Sequence, residues 1–121
     1  MSLAVFSVKK NALADRLYFR FVPVVNLTGL SLLFSMKLRA TGAVKVDKAA
    51  AQIAVGAHVI DGVSYPALTA ADGWGYYDWV GSDLDTIGNY DGEPWIVYPG
   101  PRYSKWPGKG FIQISITEDA P

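Results

Sequence analysis

The stretch LSLLFSMKLR, residues 30–39, decides the fold class because apolar and polar side chains alternate along it. Successive side chains of a β-strand point to opposite faces, so this strand has one face in a core and one in water. A helix would spread the same apolar residues around its whole surface. The apolar positions that share one face are Leu30, Leu32, Phe34, Met36 and Leu38.

The same alternation predicts strands towards both ends of the chain, at residues 17–22 and 112–117. The Asp-Gly pair at 61–62 predicts a two-residue hairpin turn, because both positions of such a turn need positive φ. Residues 49–55 are rich in alanine and leave a helical turn open, although we favour a strand at 52–55. The remaining predicted strands cover residues 43–47, 75–80 and 88–98.

These signals predict a single all-β domain over residues 1–121. Turn residues recur at short intervals and no long stretch has helical periodicity, which is the pattern of a sandwich or barrel. Half of the residues are hydrophobic, enough for one core. We predict an immunoglobulin-like β-sandwich of about seven to nine antiparallel strands.

Charge and cysteine content exclude several classes of function. Eleven basic residues balance eleven acidic ones, whereas nucleic-acid binders and membrane-surface proteins usually carry a basic excess. The sequence has no cysteine, which excludes disulfides, thiolate zinc sites and cysteine nucleophiles. We therefore expect no nucleic-acid partner and no membrane association. The apolar run within residues 1–10 is too short for a signal peptide, which predicts synthesis in the cytosol.

Residues able to carry catalysis are sparse. His58 is the only histidine, so a catalytic triad or a histidine metal site would have to use it. We predict an ordinary edge-strand histidine instead. Asp78, Asp91 and Glu93 lie near aromatic residues, but a sandwich of this size has little room for a cleft between paired carboxylates. We predict that the chain is not an enzyme.

An acidic run resembles part of a calcium-binding EF-hand loop. Ile87 and Pro94 stand where two of its ligands are required. The simpler interpretation is an acidic turn before a strand, with a glycine relieving backbone strain. We expect no metal and no other cofactor. The positions that do match the loop are Asp83, Asp85, Gly88 and Asp91.

Tryptophan and tyrosine are concentrated in the second half of the chain. Tyr77 and Trp79 share one face of a strand and are predicted to point inward. The segment YPGPRYSKWPGKG, residues 98–110, is predicted to be a surface loop, because its prolines and glycines cannot sit in central strands. Tyrosine and tryptophan are enriched at protein interfaces, which favours a docking loop. Its candidate residues are Tyr98, Arg102, Tyr103, Lys105 and Trp106.

Two other interpretations of this loop stay open. The faces of Tyr103 and Trp106 can stack on sugar rings, which would make the chain a carbohydrate-binding module. Alternatively, these aromatic side chains only pack within the loop. Protein docking is the interpretation that we favour.

The N-terminal segment, residues 1–10, offers a second means of docking. An unpaired sheet edge can accept a strand from a neighbouring molecule by β-augmentation. We predict that this segment is an extended arm that serves as such a donated strand. Its β-favouring residues are Leu3, Val5, Phe6 and Val8.

Three patterns, in this order, resemble a known family. The turn NLTGL, residues 26–30, opens the strand that ends in MKLR at 36–39. YDW at 77–79 is followed by DLDTIGNY at 83–90, and WPGKGF at 106–111 precedes IQISI. Together they resemble the N-terminal immunoglobulin-like domain of phage baseplate upper proteins and related small phage tail or neck proteins. The resemblance begins near Leu17, and the segments 57–66 and 98–109 look like additions to it.

The resemblance implies a structural protein of a bacteriophage virion, placed in the tail, baseplate or neck. Its partners would be other virion structural proteins and copies of itself, and it would be made in the cytoplasm of the bacterial host. No enzymatic activity and no cofactor are implied. If the carbohydrate-binding alternative holds, the partner would be a host-surface glycan.

Overall fold

The computed structural model of the protein describes residues 4–12, 14, 16–21, 24–60, 62–99, 102–105 and 112–118, with the backbone alone at 4, 5 and 102–105. No helix in these residues has the length and hydrophobicity of a bilayer-spanning segment. One turn of 3-10 helix, Ala70–Asp72, precedes the seventh strand. The strands are β1 (Ala4–Lys9), β2 (Leu17–Arg20), β3 (Ser31–Leu38), β4 (Val44–Ile53), β5 (Gly56–Ile60), β6 (Val63–Leu68), β7 (Trp74–Tyr77), β8 (Gly88–Tyr98), β9 (Arg102–Lys105) and β10 (Ile112–Thr117).

The main sheet has the order β1-β10-β8-β3-β4-β7-β2, and β9 also pairs with β8. It folds over at β4, which pairs with β3 as far as Ala51 and then with β7 through Gln52 and Ile53. The two halves pack face to face: the ring of Phe34 on β3 stacks on Tyr77 of β7, with centroids 4.9 Å apart. The fold is therefore a β-sandwich.

The topology is that of the immunoglobulin fold. Strands β3, β8 and β10 form one layer, and β2, β7 and the end of β4 form the other, in the manner of the two immunoglobulin sheets. The Tyr90 hydroxyl near the start of β8 donates to the Thr86 carbonyl at 2.8 Å, which is the tyrosine corner of such domains. Burial raises the pKa of Tyr90. The prediction of an all-β, immunoglobulin-like sandwich is confirmed.

The strand count and directions differ from the prediction. The described residues form ten strands, and β1 runs parallel to β10. A single strand, β4, replaces the separate strands predicted at 43–47 and 52–55, and the alternative of a helical turn at 49–55 is not adopted. Its register against β3 shifts between Phe34 and Met36, and Lys48 nearby has a positive φ of 49°. This bulge breaks the alternation along β4, which is why periodicity did not reveal one continuous strand.

The N-terminal segment is not a free arm. Strand β1 pairs with β10 from Ala4 opposite Ile112 to Lys9 opposite Thr117. Val8 is buried in the core and Phe6 stacks against Trp79. The prediction of a donated arm is therefore wrong for residues 4–9, because their backbone pairs within the same molecule and the side chains of Phe6 and Val8 pack against its core. Leu3 lies outside the described residues, and the side chain of Val5 is not described.

The predicted hairpin turn is present between Ile60 and Val63, which pair directly. Gly62 has a φ of 77°, as a two-residue turn requires. This hairpin, β5–β6, packs over the outer face of β2 and β7 and encloses a second, smaller core. The buried residues of that core are Ala54, Ile60 and Leu68, and those packed against them are Tyr18, Tyr65, Trp74 and Tyr76.

Gly92 is a point of close approach inside the main core. A Cβ atom there would lie 2.7 Å from Cδ1 of Ile114 on β10 and 3.1 Å from the ring of Phe34 on β3. Real Cβ contacts are longer than the first of these distances, so a side chain at 92 would push both neighbours. Because residue 92 has no side chain, the side chains of Phe34 on β3 and Ile114 on β10 both pack over β8 at this position.

We expect Gly92→Ala to lower the free energy of unfolding by about 1–3 kcal/mol through overpacking. Ile114→Val removes the clashing Cδ1 and by itself should cost about 0.5–1.5 kcal/mol. The double variant should therefore lose less than the sum of the single losses. Urea titration of the four proteins measures this coupling, and additive losses would contradict the contact.

We expect Tyr90→Phe to lower the free energy of unfolding by about 0.5–1.5 kcal/mol, the usual net contribution of one hydrogen bond. The matched control is Tyr65→Phe, because the Tyr65 hydroxyl has no hydrogen-bond partner within the described residues. Urea titration at neutral pH compares the two. Equal losses would mean that the corner hydrogen bond contributes nothing specific.

Candidate functional site

The β8–β9 hairpin brings together most of the predicted docking residues. Tyr98 pairs with Arg102, Val97 with Tyr103, and Trp95 with Lys105. The prediction that the whole segment 98–110 is a loop is therefore wrong for β9. The four residues of β9 contain no proline or glycine, so nothing prevents their pairing with the end of β8.

The individual docking residues are placed as follows. Tyr98 is partly buried against the main core, so much of its ring is already used in packing. For Arg102, Tyr103 and Lys105 the structure describes the backbone only, and Trp106 lies outside the described residues. Their role as a docking group stays a prediction.

The ladder on this side of β8 is interrupted. Lys105 lies opposite Trp95, and Ile112 lies opposite Gly92. Between these two pairs the chain has six residues on one side, 106–111, whereas β8 has only two, Glu93 and Pro94. Proline has no N–H to donate, so Pro94 is suited to a position where the ladder stops. The insertion separates β9 from β10, which would otherwise form one strand.

In the part of the chain that the structure describes, β9 is paired along one edge only. Strand β3 occupies one side of β8, so β9 and β10 share the other. Strand β1 covers β10 only and begins opposite Ile112. Within the described ranges, β9 pairs with β8 alone. The segment 98–110 also carries three cations and no carboxylate, although the whole chain is neutral; the cations are Arg102, Lys105 and Lys109.

A second feature lies on the outer face of the same layer, where the alternation of β8 places Trp95 and Glu93. Trp95 lies opposite Leu33 of β3, and the Lys48 ammonium is 5.1 Å from the centre of its ring. Further along, the Arg39 guanidinium donates to Asp91 at 2.9 Å. The sequence pattern of β8 was visible beforehand, but the approach of Lys48 from β4 was not.

The bulge in β4 positions Lys48. The backbone N–H of Lys48 donates to the Ser35 hydroxyl of β3 at 3.0 Å, and the positive φ of Lys48 is rare for a residue with a side chain. A hollow of about 130 Å³ lies beside it. The residues that line this hollow are Ser35, Met36, Lys37, Val44, Val46, Asp47, Lys48, Asp91, Glu93 and Trp95.

His58 belongs to a hydrogen-bonded chain that fastens the β5–β6 hairpin to the sheet. Its Nδ1 lies 2.8 Å from the Tyr18 hydroxyl and its Nε2 lies 3.0 Å from the Val55 carbonyl. Since the carbonyl can only accept, Nε2 donates and Nδ1 accepts from Tyr18. Arg16 in turn donates to the Tyr18 hydroxyl at 3.3 Å. His58 therefore lies in a strand, as predicted, with both ring nitrogens engaged by structural partners.

Arg16 is held at this corner by two further contacts. Its guanidinium donates to Asp78 at 2.6 Å and lies 4.0 Å from the centre of the Tyr76 ring. The hydrogen bond to Asp78 raises the pKa of Arg16. Sequence reasoning did not find this cluster, because its members come from three separate stretches of the chain, 16–18, 55–58 and 76–78.

The carboxylates of the acidic turn are engaged by protein groups. Asp83 accepts hydrogen bonds from the Tyr77 hydroxyl at 2.7 Å and from the Val80 N–H at 2.9 Å. Asp85 pairs with Lys45, whose hydrogen bond lowers the pKa of that carboxyl. Burial, aided by Asp83, raises the pKa of Tyr77. Tyr77 and Trp79 are both buried, as the sequence predicted.

We expect Tyr18→Phe to loosen the β5–β6 hairpin, because it removes the hydroxyl between Arg16 and His58. A net loss of about 0.5–1.5 kcal/mol predicts roughly two- to tenfold faster amide exchange at Val59 and Ser64. Tyr76→Phe is the control, since no described group bonds to its hydroxyl. Native-state hydrogen exchange measures the effect, and identical exchange in the two variants would contradict the fastening role.

Comparison with known proteins gives no family: no protein-family model matches the chain, and no curated protein matches it either. We therefore infer function from the topology and surfaces of the chain itself.

Proposed function

We propose that the chain is a structural protein of a bacteriophage virion, in the tail, baseplate or neck, which docks to other virion proteins and to copies of itself. The β8–β9 hairpin is the docking element. The single observation that carries this proposal is the edge of β9, which pairs only with β8 in the described part of the chain.

The edge is suited to β-augmentation. A neighbouring extended segment can add to it through main-chain hydrogen bonds, with side chains supplying specificity. The cations of segment 98–110 favour a partner segment that carries carboxylates. Lysine on an edge strand also discourages pairing with identical edges, so docking between copies would use a different surface on the second copy.

The virion assignment draws on the resemblance of the sequence motifs to phage proteins. Two of these motifs are turns that the sandwich uses. Asn26 accepts hydrogen bonds from the N–H and hydroxyl of Thr28 at 3.1 and 2.6 Å just before β3, and the run 83–90 ends in the tyrosine corner. Such turns specify a fold rather than a function, so the virion role needs a direct test.

Cryo-electron microscopy of purified particles from the source provides that test. We expect density for this 13.1 kDa chain at stoichiometric occupancy, with the β8–β9 hairpin against a neighbouring protein. Particles without the chain would overturn the virion role. A chain present in the particle with its hairpin in solvent would overturn the docking element alone.

A charge reversal tests the hairpin within the particle. We expect Lys105→Glu to reduce incorporation at least several-fold by opposing an acidic partner segment. Lys10→Glu is the matched control, because Lys10 follows β1 near Thr117, at the opposite end of the sheet. Quantitative mass spectrometry of purified particles measures incorporation. Equal incorporation of the two variants would contradict docking through β9.

A further inference from the structure

The hollow beside Trp95 has the dimensions of a site for one small ring. Its volume of about 130 Å³ is that of roughly four water molecules, well below the volume of sites for drug-sized ligands. It lies on three strands that pair side by side, β4, β3 and β8. Sites built on strands hold their geometry better than sites on loops.

Trp95 provides an aromatic wall for this hollow. The indole is partly exposed on the outer face of β8, and the Lys48 ammonium lies 5.1 Å from the centre of its ring. A cation–π contact at an exposed site is weak, and the Lys48 side chain is exposed. A ligand that stacks on the indole therefore lies within reach of this ammonium, which can donate a hydrogen bond to it.

The charges around the hollow favour a neutral ligand. Two ammonium groups, of Lys37 and Lys48, and three carboxylates, of Asp47, Asp91 and Glu93, line the hollow. The Arg39 guanidinium pairs with Asp91 and balances the third carboxylate. A net anion or a net cation would be repelled by one of these sets. A neutral group with many hydroxyls can donate to the carboxylates and accept from the ammonium groups. Glu93 is partly buried, and no described residue donates a hydrogen bond to its carboxylate.

The backbone at this place is also unusual. Lys48 is one of two described residues other than glycine with a positive φ, at 49°, and it sits in the bulge that the Ser35 hydroxyl fixes. Bulges often redirect a side chain at a functional site. Here the bulge directs Lys48 over Trp95.

We propose that this hollow binds a single hexose unit of a glycan, which stacks on Trp95 and is hydrogen-bonded by Glu93 and Lys48. This site is separate from the docking loop aromatics, Tyr103 and Trp106, that the sequence suggested for sugar. It does not depend on the docking role of the β8–β9 hairpin.

The full chain, fluorescently labelled, is first applied to a glycan array, and the free hexose shared by the bound glycans is then titrated by proton–nitrogen NMR. We expect saturable binding that shifts the indole N–H signal of Trp95. The indole signals of Trp74 and Trp79 are internal controls, since Trp74 packs under the hairpin and Trp79 is buried. An array without binding, or a titration that leaves the Trp95 signal unmoved, would overturn the proposal.

The variant Glu93→Gln tests whether the sugar binds in this hollow and not at another surface of the protein. Loss of a hydrogen bond to a charged group predicts roughly tenfold or more weaker binding. Glu118→Gln is the matched control, because its carboxylate lies on the exposed residue after β10, away from the hollow. Trp95→Ala should abolish sugar binding. If Trp95→Ala does not fold, the affinity of Glu93→Gln alone tests the proposal. Full binding by Glu93→Gln would overturn the proposal, whereas the particle experiments would be unaffected.

Discussion

The transfer of β4 from β3 to β7 is the constraint on which the sandwich depends. One strand supplies hydrogen bonds to both layers, so it fixes how the layers face each other. Phe34 then stacks on Tyr77 across the core, and glycine at 75 leaves room for the side chains of Leu32 and Phe19. Close packing of this kind makes the core sensitive to single added atoms.

The two outer faces of the sandwich differ as a result. The face of β2 and β7 is covered by the β5–β6 hairpin, which an aromatic cluster and the Arg16–Tyr18–His58 chain hold in place. The face of β3 and β8 instead carries a mixed row of charged residues around Trp95. The hairpin buries part of the first face, and the second carries the hollow for which we propose a sugar ligand.

The insertion of residues 106–111 lies in the sequence between β9 and β10, which pair with the same side of β8. It divides one expected strand into β9 and β10 and leaves β1 alongside β10 only. The β9 edge and the hollow beside Trp95, which we propose as docking and sugar sites, thus both lie along β8. The same strand contains the tyrosine corner and is paired on both sides, so both candidate surfaces are built on an internal strand of the sheet.

Side-chain alternation by itself determined β3, β10 and the inward direction of Tyr77 and Trp79, and the Asp-Gly pair determined the turn between Ile60 and Val63. These features are local, since alternation and turn chemistry act between neighbouring residues. Only the tertiary structure decided that β1 pairs with β10, that β4 serves both layers, and that Lys48 reaches Trp95. Backbone hydrogen bonds are the same for every sequence, so a strand's partner depends on the packing of distant residues.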